Sequence, residues 1–170
     1  MSKGRTLFTS LLAAVGLTLA GADLAPGMKA PAFTAQDQDG KSVSLSDFAG
    51  KKNVCLYFYP KDDTPGCTAE ACSLRDGHGA IVALGAVVLG VSADDTTSHA
   101  KFAAKFSLNF PILADPDKTI IKAYGVAIPV IGIAKRVTFI IDKAGIIRFV
   151  VSKVETKEHD KQVLDLLKAL

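Results

Sequence analysis

A chain of 170 residues, 49% of them hydrophobic, is long enough to bury one core and short for two. Its formal charge of +3 comes without a basic tract, which gives no case for nucleic acid binding. Three cysteines are too few, and odd in number, for a structural disulfide framework.

The first 22 residues read apart from the rest. Lys3 and Arg5 are basic, Leu7 to Leu19 is an apolar stretch of about 13 residues, and Ala20-Gly21-Ala22 offers a small-x-small cleavage site. That is the layout of a secretory signal peptide, and it is short for a spanning helix, which needs about 20 apolar residues. Cleavage after Ala22 would leave residues 23–170 as one domain, with the charge lowered from +3 to +1 and no stable membrane association. The competing readings are an uncleaved amphipathic anchor or a helix packed on the domain of an unexported, cytoplasmic protein.

From residue 23 onward the pattern is mixed α/β. Phe33-Thr34-Ala35 and Ser42-Val43-Ser44, around Asp37-Gln38-Asp39-Gly40, predict an N-terminal hairpin. Asn53 to Tyr59 and Ala86 to Val91 are nearly continuous apolar runs, as buried parallel strands require. Helical periodicity falls at 66–83, 95–106 and 156–169, with a short helix within Asp117 to Ala123. Val137 to Ile141 and Ile146 to Val151 flank Asp142-Lys143-Ala144-Gly145, a second hairpin signal. The expected architecture is a central mixed β-sheet with helices on both faces. No repeat, linker or low-complexity tract interrupts it.

The most informative segment joins the first apolar run to the first helix: Pro60-Lys61-Asp62-Asp63-Thr64-Pro65-Gly66-Cys67-Thr68-Ala69-Glu70-Ala71-Cys72. Thr64 suits the N-cap and Pro65 the first helical position, which puts Cys67 near the third. Unpaired amides and the helix dipole favour negative charge there, so Cys67 is expected to ionise more readily than a free cysteine. Glu70, one turn on, opposes this if its carboxylate faces the sulfur. Residues five apart on a helix differ by about 140° and about 7.5 Å of rise, whereas a disulfide needs Cα atoms roughly 4.4–6.8 Å apart. Cys67 and Cys72 therefore cannot bond while the helix is wound. Zinc would call for C-x(2–4)-C and a second pair, and His78, His99 and His159 are scattered. Nothing calls for a metal or cofactor. Cys55, inside the run Val54 to Phe58, reads as an inert core thiol, with a second resolving role as the minor alternative.

Pro60-x-x-x-Thr64-x-x-Cys67 matches the P-x-x-x-(T/S)-x-x-C signature of peroxiredoxins. The string Tyr57 to Cys72 resembles the bacterioferritin comigratory protein / peroxiredoxin Q subfamily. So do Gly90 to Asp94, Ser98-His99-x-Lys101-Phe102, Asn109 to Asp117 and Lys135 to Asp142, a likeness over about residues 26 to 168. The resemblance implies a thioredoxin-like fold and thiol-dependent reduction of hydroperoxides. It gives Cys67 the attack on the O–O bond and Cys72 the resolution of the sulfenic acid as an intramolecular disulfide. It gives Pro60, Thr64 and Arg136 the shaping of the pocket. The partners that follow are a hydroperoxide substrate and an external thioredoxin-like thiol reductant, with a monomer sufficient for the cycle. Export of a bacterial-type protein of this kind would mean the periplasm, where such a reductant has to be a dedicated one.

Two other functions fit the same residues less well. A thiol-disulfide exchanger or redox sensor would prefer C-x-x-C, which is absent. A non-catalytic binding domain would lose nothing on replacement of Cys67.

Overall fold

The computed structural model describes residues 23–170, and the expected leader, residues 1–22, lies outside the described residues. Two short strands, β1 (Thr34–Gln36) and β2 (Ser42–Ser44), pair antiparallel as the N-terminal hairpin. The main sheet is built from β3 (Asn53–Phe58), β4 (Ala86–Ser92), β5 (Ile112–Ala114), β6 (Val137–Ile141) and β7 (Ile147–Val151), in the order β5-β4-β3-β6-β7. β3 runs parallel to β4 and β4 to β5, while β6 and β7 are antiparallel additions. Among the described residues, four α-helices complete the fold: α1 (Pro65–Ala83), α2 (Thr96–Phe106), α3 (Thr119–Ala123) and α4 (His159–Lys168).

Strand β3 shows how the sequence divides the core. Side chains alternate across a strand, so Val54, Leu56 and Phe58 enter one apolar cluster with Leu89, Ile121, Tyr124 and Phe139. Cys55, Tyr57 and the following Tyr59 enter a second with Leu74 of α1, Phe102 of α2 and Val163 of α4. Helices cover both faces, but unequally. α1, α2 and α4 share one side, and α3 and the hairpin share the other. The central strand, buried on both faces, therefore had to be apolar at nearly every position.

Strand β5 is the element that sequence periodicity did not show. Three residues directly after Pro111 are too few to display a period of two, and their place at the sheet edge comes from pairing with β4.

α1 is long, and its C-terminal half is clamped to α4. The Ser73 hydroxyl donates to Asp160 Oδ1 at 2.7 Å, and the Asp160 amide donates back to Ser73 Oγ at 3.0 Å. Gly77 makes the close approach possible, because a Cβ there would stand 2.5 Å from Asp160 Cβ. A mid-helix glycine costs about 1 kcal/mol of propensity relative to alanine, and the contact with α4 explains why one is used. Among the described residues, no helix is long and apolar enough to cross a membrane.

Candidate active site

The segment entering α1 is pinned by a buried polar cluster. The Tyr59 hydroxyl donates to Asp62 Oδ1 at 2.7 Å, and the Ser98 hydroxyl and His99 Nδ1 reach Oδ2 at 2.7 and 2.8 Å. The Asp62 amide donates to Asp94 Oδ2 at 2.9 Å, and Ser92 holds that same oxygen. Burial works against the Asp62 carboxylate, but its hydrogen bonds, led by His99, win and hold it below the usual carboxylate range. The loop is thus fixed to β4 and α2 before the helix begins.

Thr64 occupies the N-cap with extended backbone (φ −94°, ψ 151°), and Pro65 follows at the first helical position, as expected. The Thr64 side chain makes no capping bond. Its hydroxyl donates instead to the Lys61 carbonyl at 3.0 Å, closing the turn ahead of the helix. The Thr68 amide makes an early helical bond, to the Thr64 carbonyl at 2.8 Å. The amides of Gly66 and Cys67 precede it, at the positive end of the helix.

Cys67 lies on the inner side of α1, 1% exposed. Arg136, in the segment just before β6, donates from Nη2 to Cys67 Sγ at 3.3 Å. Its Nη1 donates to Glu70 Oε2, one helical turn beyond the cysteine. One rigid guanidinium fork therefore ties the sulfur to a carboxylate. Cys72 is half-buried, further along the same unbroken helix, and all three cysteines are free thiols. Cys55 is fully buried in β3, and burial pushes its thiol far up. Of the residues singled out in the sequence, Cys67 and Arg136 are brought into direct contact. Thr64 holds the N-cap position without a capping bond, and half-buried Pro60 opens the loop after β3.

Gly66 leaves room for this geometry. A Cβ there would stand 3.1 Å from Arg136 Nη2, tight enough to shift the guanidinium by a few tenths of an ångström. Gly66→Ala should leave the thermal midpoint unchanged or higher, since alanine is the better helix former. It should also slow peroxide oxidation of Cys67 roughly tenfold, a fraction of what complete loss of a donor costs. Stopped-flow rates beside a melting curve check both.

Sequence reasoning missed several residues here. Glu70, in sequence only a possible opponent of the thiolate, holds the second arm of Arg136. Its spacing from Cys67 and Leu74 put it on the buried face of α1, and a carboxylate there calls for a buried cation. The Asp62–His99 cluster and His159 on α4 had no local signal.

The chain matches the model of the AhpC/TSA family over residues 26–150. It is 44% identical over 147 residues to a bcp peroxiredoxin of Coxiella burnetii, covering 83% of this chain and 97% of that one. The chain belongs to the peroxiredoxins. This peroxiredoxin is also 42% identical over 146 residues to the chloroplastic peroxiredoxin Q of Populus jackii, covering 85% of this chain and 68% of that one. Its backbone superimposes with a TM-score of 0.76 on the bacterioferritin comigratory protein of Xanthomonas campestris, at 31% identity over 81% of this chain and 90% of that one. The fold is accordingly the thioredoxin-like fold of these neighbours, and the enzyme class is that of the thiol-dependent peroxidases.

Proposed function

We propose that this peroxiredoxin reduces hydrogen peroxide and organic hydroperoxides at Cys67, and that Cys72 resolves the product within the same chain. The observation that carries the assignment is the Arg136 Nη2 contact with Cys67 Sγ at 3.3 Å, made at the start of a helix. The Xanthomonas campestris relative has alkyl peroxide reduction activity, which supports the substrate class.

The Cys67 thiolate attacks the terminal peroxide oxygen, forming an S–O bond as the O–O bond breaks. The leaving alkoxide or hydroxide takes a proton, and Cys67 is left as sulfenic acid. Charge moves from sulfur to oxygen in the transition state. The remaining N–H groups of Arg136 and the amides of Gly66 and Cys67 are fixed donors for that charge, and fixed donors need no reorganisation. The Thr64 hydroxyl, turned toward Lys61, stabilises the turn that presents those amides. Pro60, with no N–H, stiffens the approach.

Cys72 then condenses with the sulfenic acid, forming a disulfide and releasing water. On the wound helix the two Cα atoms are on the order of 8–9 Å apart, beyond disulfide reach. The turns from Pro65 to Cys72 therefore have to open. Two anchors bound that opening: Asp62 with its cluster before the helix, and Ser73 with Asp160 after Cys72. An external dithiol of the thioredoxin-like type then returns both thiols by two-electron exchange. In this reading residues 1–22 direct export to the periplasm, Cys55 takes no part, and one monomer completes the cycle.

Rapid mixing of the reduced protein with hydrogen peroxide tests the assignment. Cys67 should oxidise orders of magnitude faster than a free thiol, and a free-thiol rate would reject it. Cys72→Ser should keep that first step within about twofold, because Cys72 does not touch the reacting sulfur on the wound helix. The same variant should lose steady-state turnover with a thioredoxin-like reductant and accumulate sulfenic acid, which a dimedone adduct reports by mass.

A further inference from the structure

Behind Arg136 lies a fully buried group that the proposed cycle does not use. Glu70 Oε2 accepts from Arg136, but Oε1 is buried with no hydrogen-bond partner among the described residues. An unsatisfied buried carboxylate oxygen is costly. His159 Nε2 lies 3.7 Å from Oε1.

The state of that ring nitrogen follows from its other contacts. Gln162 Oε1 accepts from the Glu155 amide at 2.9 Å, and Gln162 Nε2 donates to the Lys153 carbonyl at 3.2 Å, which fixes the side-chain amide. His159 Nδ1, 3.0 Å from the same Gln162 Oε1, therefore carries the ring hydrogen. Burial holds the imidazole below its ordinary range, so the ring is neutral and Nε2 is an acceptor, taking the Thr138 hydroxyl at 2.8 Å. Oε1 thus faces a nitrogen that has no hydrogen to give and whose lone pair Thr138 already holds. A proton on Oε1 removes the repulsion, whereas an ion pair would need a charged ring that its burial disfavours.

We infer that Glu70 is a positioning residue that works as a neutral acid: protonated on Oε1, it holds the Arg136 fork through Oε2 while leaving the guanidinium charge to the Cys67 sulfur. The inference rests on Cys67 being the reacting thiol. Burial, opposed by Arg136, moves the Glu70 carboxyl up to about 7. Arg136 favours its ionisation. From α4 it faces neutral His159, with Asp160 bonded to Ser73 beyond. From β3 it faces Cys55 and Tyr57, which burial keeps protonated. As pH rises through about 7 the proton leaves to solvent, and the new carboxylate competes with Cys67 for the same cation. Peroxide reactivity should then decline although thiol ionisation can only increase.

The test is the rate of Cys67 oxidation by hydrogen peroxide from pH 6 to 9 in the wild type, Glu70→Gln and Thr138→Val. Glutamine has the shape of the neutral acid and cannot ionise. The wild-type profile should bend downward above pH 7 by roughly tenfold, one unit's worth of electrostatic support, and the Glu70→Gln profile should not. Thr138→Val frees Nε2 for the acid proton, so its bend should move to higher pH. The infrared spectrum of the wild type at pH 6 should show a protonated carboxyl band that Glu70→Gln lacks. Parallel profiles for wild type and Glu70→Gln, or no such band, would overturn the inference while leaving a fast Cys67 intact. A slow Cys67 at every pH would instead reject the peroxidatic assignment.

Discussion

Cys67→Ser should abolish peroxide consumption while leaving the fold in place. The serine hydroxyl replaces a sulfur that is 1% exposed and already receives the Arg136 Nη2 hydrogen bond. The new oxygen accepts that bond, so no buried donor is orphaned, and the stability change should stay near 1 kcal/mol. Chemistry has no such substitute, because an alcohol held neutral is not a peroxide nucleophile. Removing a nucleophile can cost on the order of 10⁶ in rate, so activity should fall to the uncatalysed background. A coupled assay with a thioredoxin-like reductant measures this, and a circular dichroism melt confirms the fold. Residual turnover above a few per cent would mean that another thiol carries the reaction. Cys55, sealed in β3 with its thiol pushed up by burial, is poorly placed to do so.

Arg136→Met should slow Cys67 oxidation by about 10²–10³, the cost of losing a preorganised donor at a developing charge. Lysine should not rescue it, since a single ammonium cannot reproduce the fork that reaches Glu70 and Cys67 together. The same variant carries a pH-dependent stability loss. Glu70 is pulled up by burial and down by Arg136, for a net position of about 7. Without the arginine the carboxyl stays protonated to still higher pH in the fold, while in the unfolded chain it ionises near 4.5. A folded-state value raised above the unfolded one means stability is lost as pH rises between them. The wild type therefore stops losing stability on this account near pH 7, and Arg136→Met keeps losing it beyond. Urea unfolding at pH 6 and pH 8.5 should show the gap between the two widening at the higher pH.

The local chemistry of α1 was legible in the chain because its causes are local. Cap, proline, glycine and cysteine follow one another within four residues, and helix geometry alone separates Cys67 from Cys72. The strands declared themselves where burial on both faces made them nearly continuous apolar runs, as in Asn53–Phe58 and Ala86–Ser92. Edge strand β5 did not, being three residues long. Arg136 was found through family likeness, not from its own surroundings in sequence. What remained hidden depends on long-range closure. Glu70 meets Arg136 and His159, and Asp62 meets Ser98 and His99, only after the sheet has brought their elements together. Thr64 was legible as a cap position, but the bond its hydroxyl makes was not.

Amide hydrogen exchange along α1, read in the reduced protein and again after one equivalent of peroxide, probes the coupling of sulfur chemistry to backbone opening. Protection should vanish from Thr68 to about Asp76, whose amides bond carbonyls four residues back in the opened turns, and persist from Gly77 onward, with peptide mapping showing Cys67 joined to Cys72. A Cys67–Cys72 bond with protection unchanged over those turns, or a bond from Cys67 to Cys55, would contradict it.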